Sequence, residues 1–192
     1  MQALLSFDKA PPFAAPLRFF ITAPFFGLLA GLLLVWEGPS LLLSRWTPGT
    51  LAITHLLNIG FMLQTMLGAL IQILPVVAGV NLANPLAVSR WLHVGLSVGA
   101  LLLAAGFLFG MPDALAGGAL VLGVTIAGFL MVVMLPLFRV PSTSPTIRGL
   151  KLAMLGLAGT VALGVLLAFA LTWGWQLPLM VMADLHAAWG FG

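Results

Sequence analysis

The 192-residue sequence contains no cysteine and no tyrosine, and only 6% of its residues are charged. Without cysteine there is no disulfide, no thiolate metal site and no palmitoyl anchor, and the redox compartment leaves no trace. Without tyrosine, Trp and His are the only aromatic residues able to donate a hydrogen bond. The scarcity of charge excludes the most. Ordinary globular domains carry roughly a quarter of charged residues, whereas a chain that is 62% apolar, with a mean hydropathy of +1.21, cannot cover a water-facing surface. A soluble fold is ruled out, and the solvent is lipid. A net charge of +3 and a pI near 10.8 would suggest nucleic acid for a soluble chain, but the seven cations are scattered and form no basic run. They read as topology signals, and no nucleic-acid partner is expected.

The few charges leave long neutral runs at 19–36, 46–89, 91–112, 114–138 and 152–183. A bilayer core needs about 20 apolar residues per helix. The sequence therefore predicts an all-α integral membrane helical bundle, a single transmembrane domain of five full transmembrane helices plus a sixth beginning near residue 178. The spans fall at about 17–36, 50–80, 88–109, 116–138, 150–173 and 178–192. Residues 1–16, with Asp8, Lys9 and Pro11-Pro12, form a polar lead, and the first span lacks the cleavage pattern of a signal peptide. Pro75 is expected to kink the long second span. The tight turn at 110–113 makes spans three and four antiparallel neighbours. From Gln176 the last segment extends about 26 Å at 1.5 Å per residue, short of a core of about 30 Å, so the natural chain is expected to continue beyond Gly192.

Small residues are spaced for close helix contact: Gly95, Gly99, Gly106 and Gly110 on span three, and Gly27 with Gly31 on span one. The chain has no glycine-rich phosphate loop, no HExxH, no nucleophile elbow and no carboxylate pair. Hydrolase and kinase chemistry has no support, and the enzyme question reduces to a part in an oxidoreductase.

Span two holds a polar seam, with Asn58, Thr65 and Gln72 recurring every seven residues and His55 and Met62 at helical offsets on the same face. Interhelical hydrogen bonding accounts for Thr65 and Gln72. His55 differs, because an imidazole inside a span is by default a functional candidate, the alternative being a satisfied structural histidine. Counting inward at 1.5 Å per residue puts His55 about 8 Å and His186 about 12 Å below the same interface, so the two can share a site. His93 falls near the opposite interface, facing headgroups or a helix neighbour. Asp184 reads either as a proton relay or partner of the His186 imidazole, or as a headgroup-level cap if span six begins later.

The stretch Thr54-His55-Leu-Leu-Asn58-Ile-Gly60-Phe-Met62, continuing through Met66-Leu-Gly68-Ala69-Leu70 to Leu74-Pro75-Val-Val-Ala-Gly79, resembles span two of haem–copper oxidase subunit I-like membrane proteins, including nitric-oxide-response haem–copper proteins. Asp184-Leu-His186-Ala-Ala-Trp189-Gly190 is similar to the start of their span six. The resemblance implies a haem with His55 as axial ligand and a metal role for His186, copper in the oxidases; the second haem ligand would then be His186 or Met62, with Asn58 and Asp184 nearby. Subunit I of the oxidases has further spans and histidines that this chain lacks, so the resemblance is to an N-terminal half or a reduced relative. It implies electron transfer or gas-ligand chemistry in a multi-pass membrane protein. Its partners are the lipid bilayer and a further transmembrane subunit or the missing C-terminal half. The alternative is a non-redox helical membrane protein, a transporter fragment or a packing subunit, suggested by Pro75, Pro178 and Asp184.

Lys9, Arg18, Arg90, Arg139, Arg148 and Lys151 fall on one side of the predicted spans and only Arg45 on the other. The positive-inside rule then places the N-terminus in the cytoplasm, at the cell (inner) membrane. In a chain with no native cysteine, Asp113→Cys should react with an impermeant maleimide added to intact cells, and Ser144→Cys should react only after the membrane is opened. Equal labelling of both from outside would refute the assignment.

Overall fold

The computed structural model describes residues 7–191. A 3₁₀ turn at Phe7–Lys9 precedes α1 (Ala14–Glu37), which runs on through a 3₁₀ segment at Gly38–Leu43. Span two is built in three pieces: α2 (Pro48–His55), a π-helix (Leu56–Leu63) and α3 (Gln64–Ala78). Then come α4 (Pro85–Leu108), α5 (Pro112–Arg139), α6 (Pro145–Trp173) and α7 (Leu179–Phe191). The described residues contain no strand. Five helical stretches, of 24 to 31 residues, are long and apolar enough to cross a bilayer, and α7 is the sixth helix with 13 residues. The chain is a multi-pass, all-α membrane protein. The first six residues of the polar lead and Gly192 lie outside the described residues.

Proline and glycine punctuate the helices. Pro48, Pro85, Pro112 and Pro145 each open one, where a missing N–H costs nothing. The residues before three of them are caps: Thr47 accepts from Thr50 N at 3.3 Å, Asn84 from Ala87 N at 3.1 Å and Ser144 from Ile147 N at 3.3 Å. Gly79 and Gly174 end α3 and α6 in the left-handed region, at φ 68° and 64°, where a side chain would be strained.

Consecutive spans are antiparallel, as their contact registers show. Between α4 and α5, a Cβ added at Gly95 would meet the Thr125 side chain. One at Gly99 would lie 2.5 Å from Leu122, and one at Gly106 2.6 Å from the Leu115 backbone. Gly118 of α5 returns the contact, 2.6 Å from the Leu103 backbone. Ridge and groove thus meet at near-backbone distance, where dispersion and weak Cα–H contacts replace the hydrophobic effect that lipid does not provide. Gly110 does not extend this stripe as expected; at φ 59° it forms the turn and faces open space. Of the expected Gly27/Gly31 pair, a Cβ at Gly27 would meet Phe61 only at an ordinary 3.8 Å, and nothing lies within 4 Å of one at Gly31. The small residues that bring α1 close are instead on span two. Gly60 seats the ring of Phe26, and a Cβ added at Gly68 would lie 2.8 Å from the Phe19 Cβ. Phe19, Ile71, Leu74, Leu92, Leu96 and Phe129 form the fully buried center of the bundle.

The π-helix changes which residues of span two face inward. Its i→i+5 bonds put more residues into each turn than an α-helix. Here the buried positions recur every four residues, at Ala52, Leu56, Gly60 and Gln64. Beyond Gln64 they return to α spacing at Leu67, Ile71, Leu74 and Ala78. The seven-residue seam assumed 3.6 residues per turn throughout, and it is broken. Met62 is 47% exposed. Thr65 donates to its own helix, to Phe61 O at 2.8 Å. The interhelical hydrogen bond comes from Gln64, which is fully buried and donates from Nε2 to Ser97 Oγ at 2.9 Å. Pro75 lies within the continuous helix α3.

Overpacking a close helix contact costs about 1–3 kcal/mol, so Gly99→Leu should lower the thermal unfolding midpoint in detergent by several degrees. Gly31→Leu, facing open space, should leave it unchanged. Identical midpoints for the two variants would show that the α4–α5 face does not carry the packing described.

Candidate functional site

Two histidines of different spans lie in the half of the bundle where α2 and α7 begin. His55 is the last residue of α2. Its Nδ1 lies 2.7 Å from the carbonyl of Leu51, one turn back. A carbonyl only accepts, so Nδ1 carries the proton and Nε2 keeps its lone pair. The ring stacks on Phe107 of α4, with centroids 5.0 Å apart and planes at 29°. Phe107 reaches it because α4 runs antiparallel to span two.

His186 belongs to α7, which lies along α6 over a row of small residues. A Cβ at Gly159 would lie 2.7 Å from the Trp189 ring, and one at Gly164 2.9 Å from the His186 ring. These absent side chains give α7 its seat, and they bring His186 Nδ1 to 2.9 Å from the carbonyl of Thr160. The same reasoning leaves its Nε2 as an acceptor. Beside it the Thr160 hydroxyl is buried and has no hydrogen-bond partner. His55 and His186 lie within electrostatic range of each other. The arrangement is a pair of half-buried imidazoles, each held by its backbone bond in the tautomer that can ligate a metal.

Asp184 is not part of this pair. Two residues from His186, it points to another side of the helix, and its carboxylate lies 3.1 Å from Arg45 Nη2, with both side chains more than half exposed. Neither the relay nor the cap reading describes it. Arg45 also stacks on Trp46, 4.7 Å from the ring centroid. The ion pair ties the α1–α2 connection to the first turns of α7, next to the two histidines. No group of three or more His, Cys, Asp or Glu able to hold a metal occurs among the described residues, so the two imidazoles stand alone as donors. Asn58 is half-buried within the π-helix, three residues after His55, while Met62 faces outward. His93 lies elsewhere, between helices: its Nε2 is 2.8 Å from Thr22 Oγ1 of α1, and Phe19 meets its ring edge-on.

Reading the sequence singled out neither Phe107 and Thr160 nor the link between Arg45 and Asp184, because each depends on a partner distant in the chain. Gln64 was discoverable from the four-residue spacing Ala52, Leu56, Gly60, Gln64, provided that a π-helix was entertained.

An exposed ion pair contributes at most about 1 kcal/mol. Asp184→Asn should therefore speed amide hydrogen exchange in Leu179–Phe191 by roughly two- to fivefold and leave α4 and α5 unchanged. Unaltered exchange in α7 would mean that the pair does not hold it. No protein-family model matches this chain, and neither does any curated protein or solved structure.

Proposed function

We propose that the chain is a haem-binding membrane protein of electron transfer or gas-ligand chemistry, with His55 as the axial ligand and His186 available to a second metal such as copper. The observation that carries this reading is the matched tautomer of the two imidazoles: both Nδ1 atoms are committed to backbone carbonyls, at 2.7 and 2.9 Å, and neither Nε2 has a hydrogen-bond partner among the described residues. The donor set fits such a group. Imidazole nitrogen suits iron and copper alike, and the unpartnered Thr160 hydroxyl offers a hydrogen bond beside His186. The likeness of the segments around His55 and His186 to haem–copper oxidase subunit I points the same way.

The chain's own residues do the positioning. Leu51 and Phe107 fix the azimuth of the His55 ring, and the Gly159–Gly164 seat fixes that of His186. Apolar helices around the pair exclude water, which keeps an unprotonated Nε2 available as a ligand. A bound haem supplies one-electron and diatomic-gas chemistry, its potential set by axial ligation and surrounding polarity. Asn58 stands near enough in the chain to contribute that polarity; Met62, exposed, does not, and Asp184 is committed to Arg45. The membrane is the cell (inner) membrane and the N-terminus is cytoplasmic, on the cation distribution.

The test is an optical spectrum of the purified protein after expression with added haem precursor. Wild type should show a Soret band, His55→Ala should lose at least about nine-tenths of it because a ligand must contact the iron, and His93→Ala should keep it. A colorless wild-type preparation with full helical content would overturn the haem reading in favor of a packing subunit or transporter fragment.

A further inference from the structure

We propose that the groove between the N-terminal ends of α1 and α4 binds the phosphate of an anionic lipid, held by Arg18 and Arg90 above a Thr22–His93 floor. The 2.8 Å contact between Thr22 and His93 sets the register of these two helices, which run parallel. Arg18 precedes Thr22 by four residues and Arg90 precedes His93 by three, so each arginine shares a face with the residue that makes the contact. Both sit about 4–6 Å nearer the helix starts, at 1.5 Å per residue. Because Cα–Cβ bonds tilt toward the N-terminus, both side chains extend from the floor toward the membrane surface. Phe19, fully buried, meets the His93 ring edge-on at 5.5 Å and closes the groove on its apolar side. Arg18 lies within electrostatic range of His93.

The charge pattern identifies the ligand. This end of the bundle holds six cations (Lys9, Arg18, Arg90, Arg139, Arg148 and Lys151) and one acid, Asp8, for a net +5; the other end holds Arg45 with Glu37, Asp113 and Asp184, for −2, together the +3 of the chain. Among the described residues the one ion pair is Arg45–Asp184, at the opposite end. Among the described residues neither Arg18 nor Arg90 is paired with a carboxylate, and the two stand on helices joined by the Thr22–His93 contact. Among the described residues Arg18 bonds only through its Nε, to the carbonyl of Ala14 at 3.4 Å, and its terminal nitrogens have no partner there. Two guanidiniums at one level repel unless an anion lies between them, and a phosphate accepts their paired N–H groups in bidentate fashion. Trp91, 37% exposed beside Arg90, is the aromatic residue typical of headgroup depth. A phosphate at this depth, flanked by apolar helix faces, comes with acyl chains attached, so the source is a lipid.

Native mass spectrometry of the full chain in detergent tests this with phosphatidylglycerol and phosphatidylcholine supplied at equal concentration. Wild type should retain phosphatidylglycerol preferentially. Each of Arg18→Gln and Arg90→Gln should weaken it about fivefold, and the pair about thirtyfold, the effect of removing surface cations from an anionic lipid. Arg148→Gln should change nothing, because Arg148 sits in the first turn of α6 and not beside the Thr22–His93 contact of α1 with α4. Equal retention of the two lipids by wild type, or unchanged affinity in the double glutamine variant, would overturn the proposal. Complete displacement of phosphatidylglycerol by millimolar inorganic phosphate would also overturn it, in favor of a free-phosphate site. If the glutamine variant does not fold, Arg18→Lys with Arg90→Lys keeps the charge but not the fork, and should still lose severalfold; full affinity there would contradict bidentate capture.

Discussion

Lipid offers no partner to a backbone N–H or C=O, and the architecture is organised around that constraint. Every crossing segment must close its hydrogen bonds internally, which makes helices obligatory. It also removes the hydrophobic drive for helices to associate, because a lipid tail is as apolar as a leucine. What remains is close approach. In this chain that approach is made at glycines: between α4 and α5, between α1 and span two, and between α6 and α7, an added methyl would collide with the neighbouring helix. The seat of α7, and through it the position of His186, thus depends on side chains that are not there.

The π-helix at Leu56–Leu63 is the other departure from an ideal bundle, and it lies directly after His55. Short π segments cluster at functional sites, and here the consequence is concrete. Widening the turn sends Gln64 into the core and Met62 outward. It also sets the inward face of span two at four-residue intervals, so that Gly60 receives Phe26. Gln64 satisfies its amide through Ser97, but its carbonyl oxygen has no partner. The lower half of span two is thereby set in rotation relative to the half that bears the histidine.

Charge is used sparingly and at the ends. The Arg45–Asp184 pair bridges distant parts of the chain at one end. At the other, Lys151 donates to Val140 O at 2.6 Å and to Ser142 Oγ at 2.8 Å, folding the α5–α6 loop over its own helix ends. Arg148 adds a bond from its Nε to Ser142 O at 3.0 Å, so two of the six cations at this end hold the α5–α6 loop.

Hydropathy and punctuation made much of this legible from the residues alone. Neutral runs of adequate length located five spans, and prolines and glycines marked where they begin and end, because both signals are local and lipid permits only one backbone solution. The expectation that His55 and His186 share a depth came from a fixed rise per residue. Facing was another matter. Which side of a helix a residue presents depends on residues per turn, and one π segment sufficed to displace Met62 and Thr65 from the seam on which spacing had put them. Which small residues make contact was likewise decided by the partner: Gly60 and Gly68 serve α1, while Gly31, equally small, meets nothing. The partners of Asp184, His93 and His186 lie 26 to 139 residues away in sequence, and no local pattern encodes such distances, because they are set only when the helices pack.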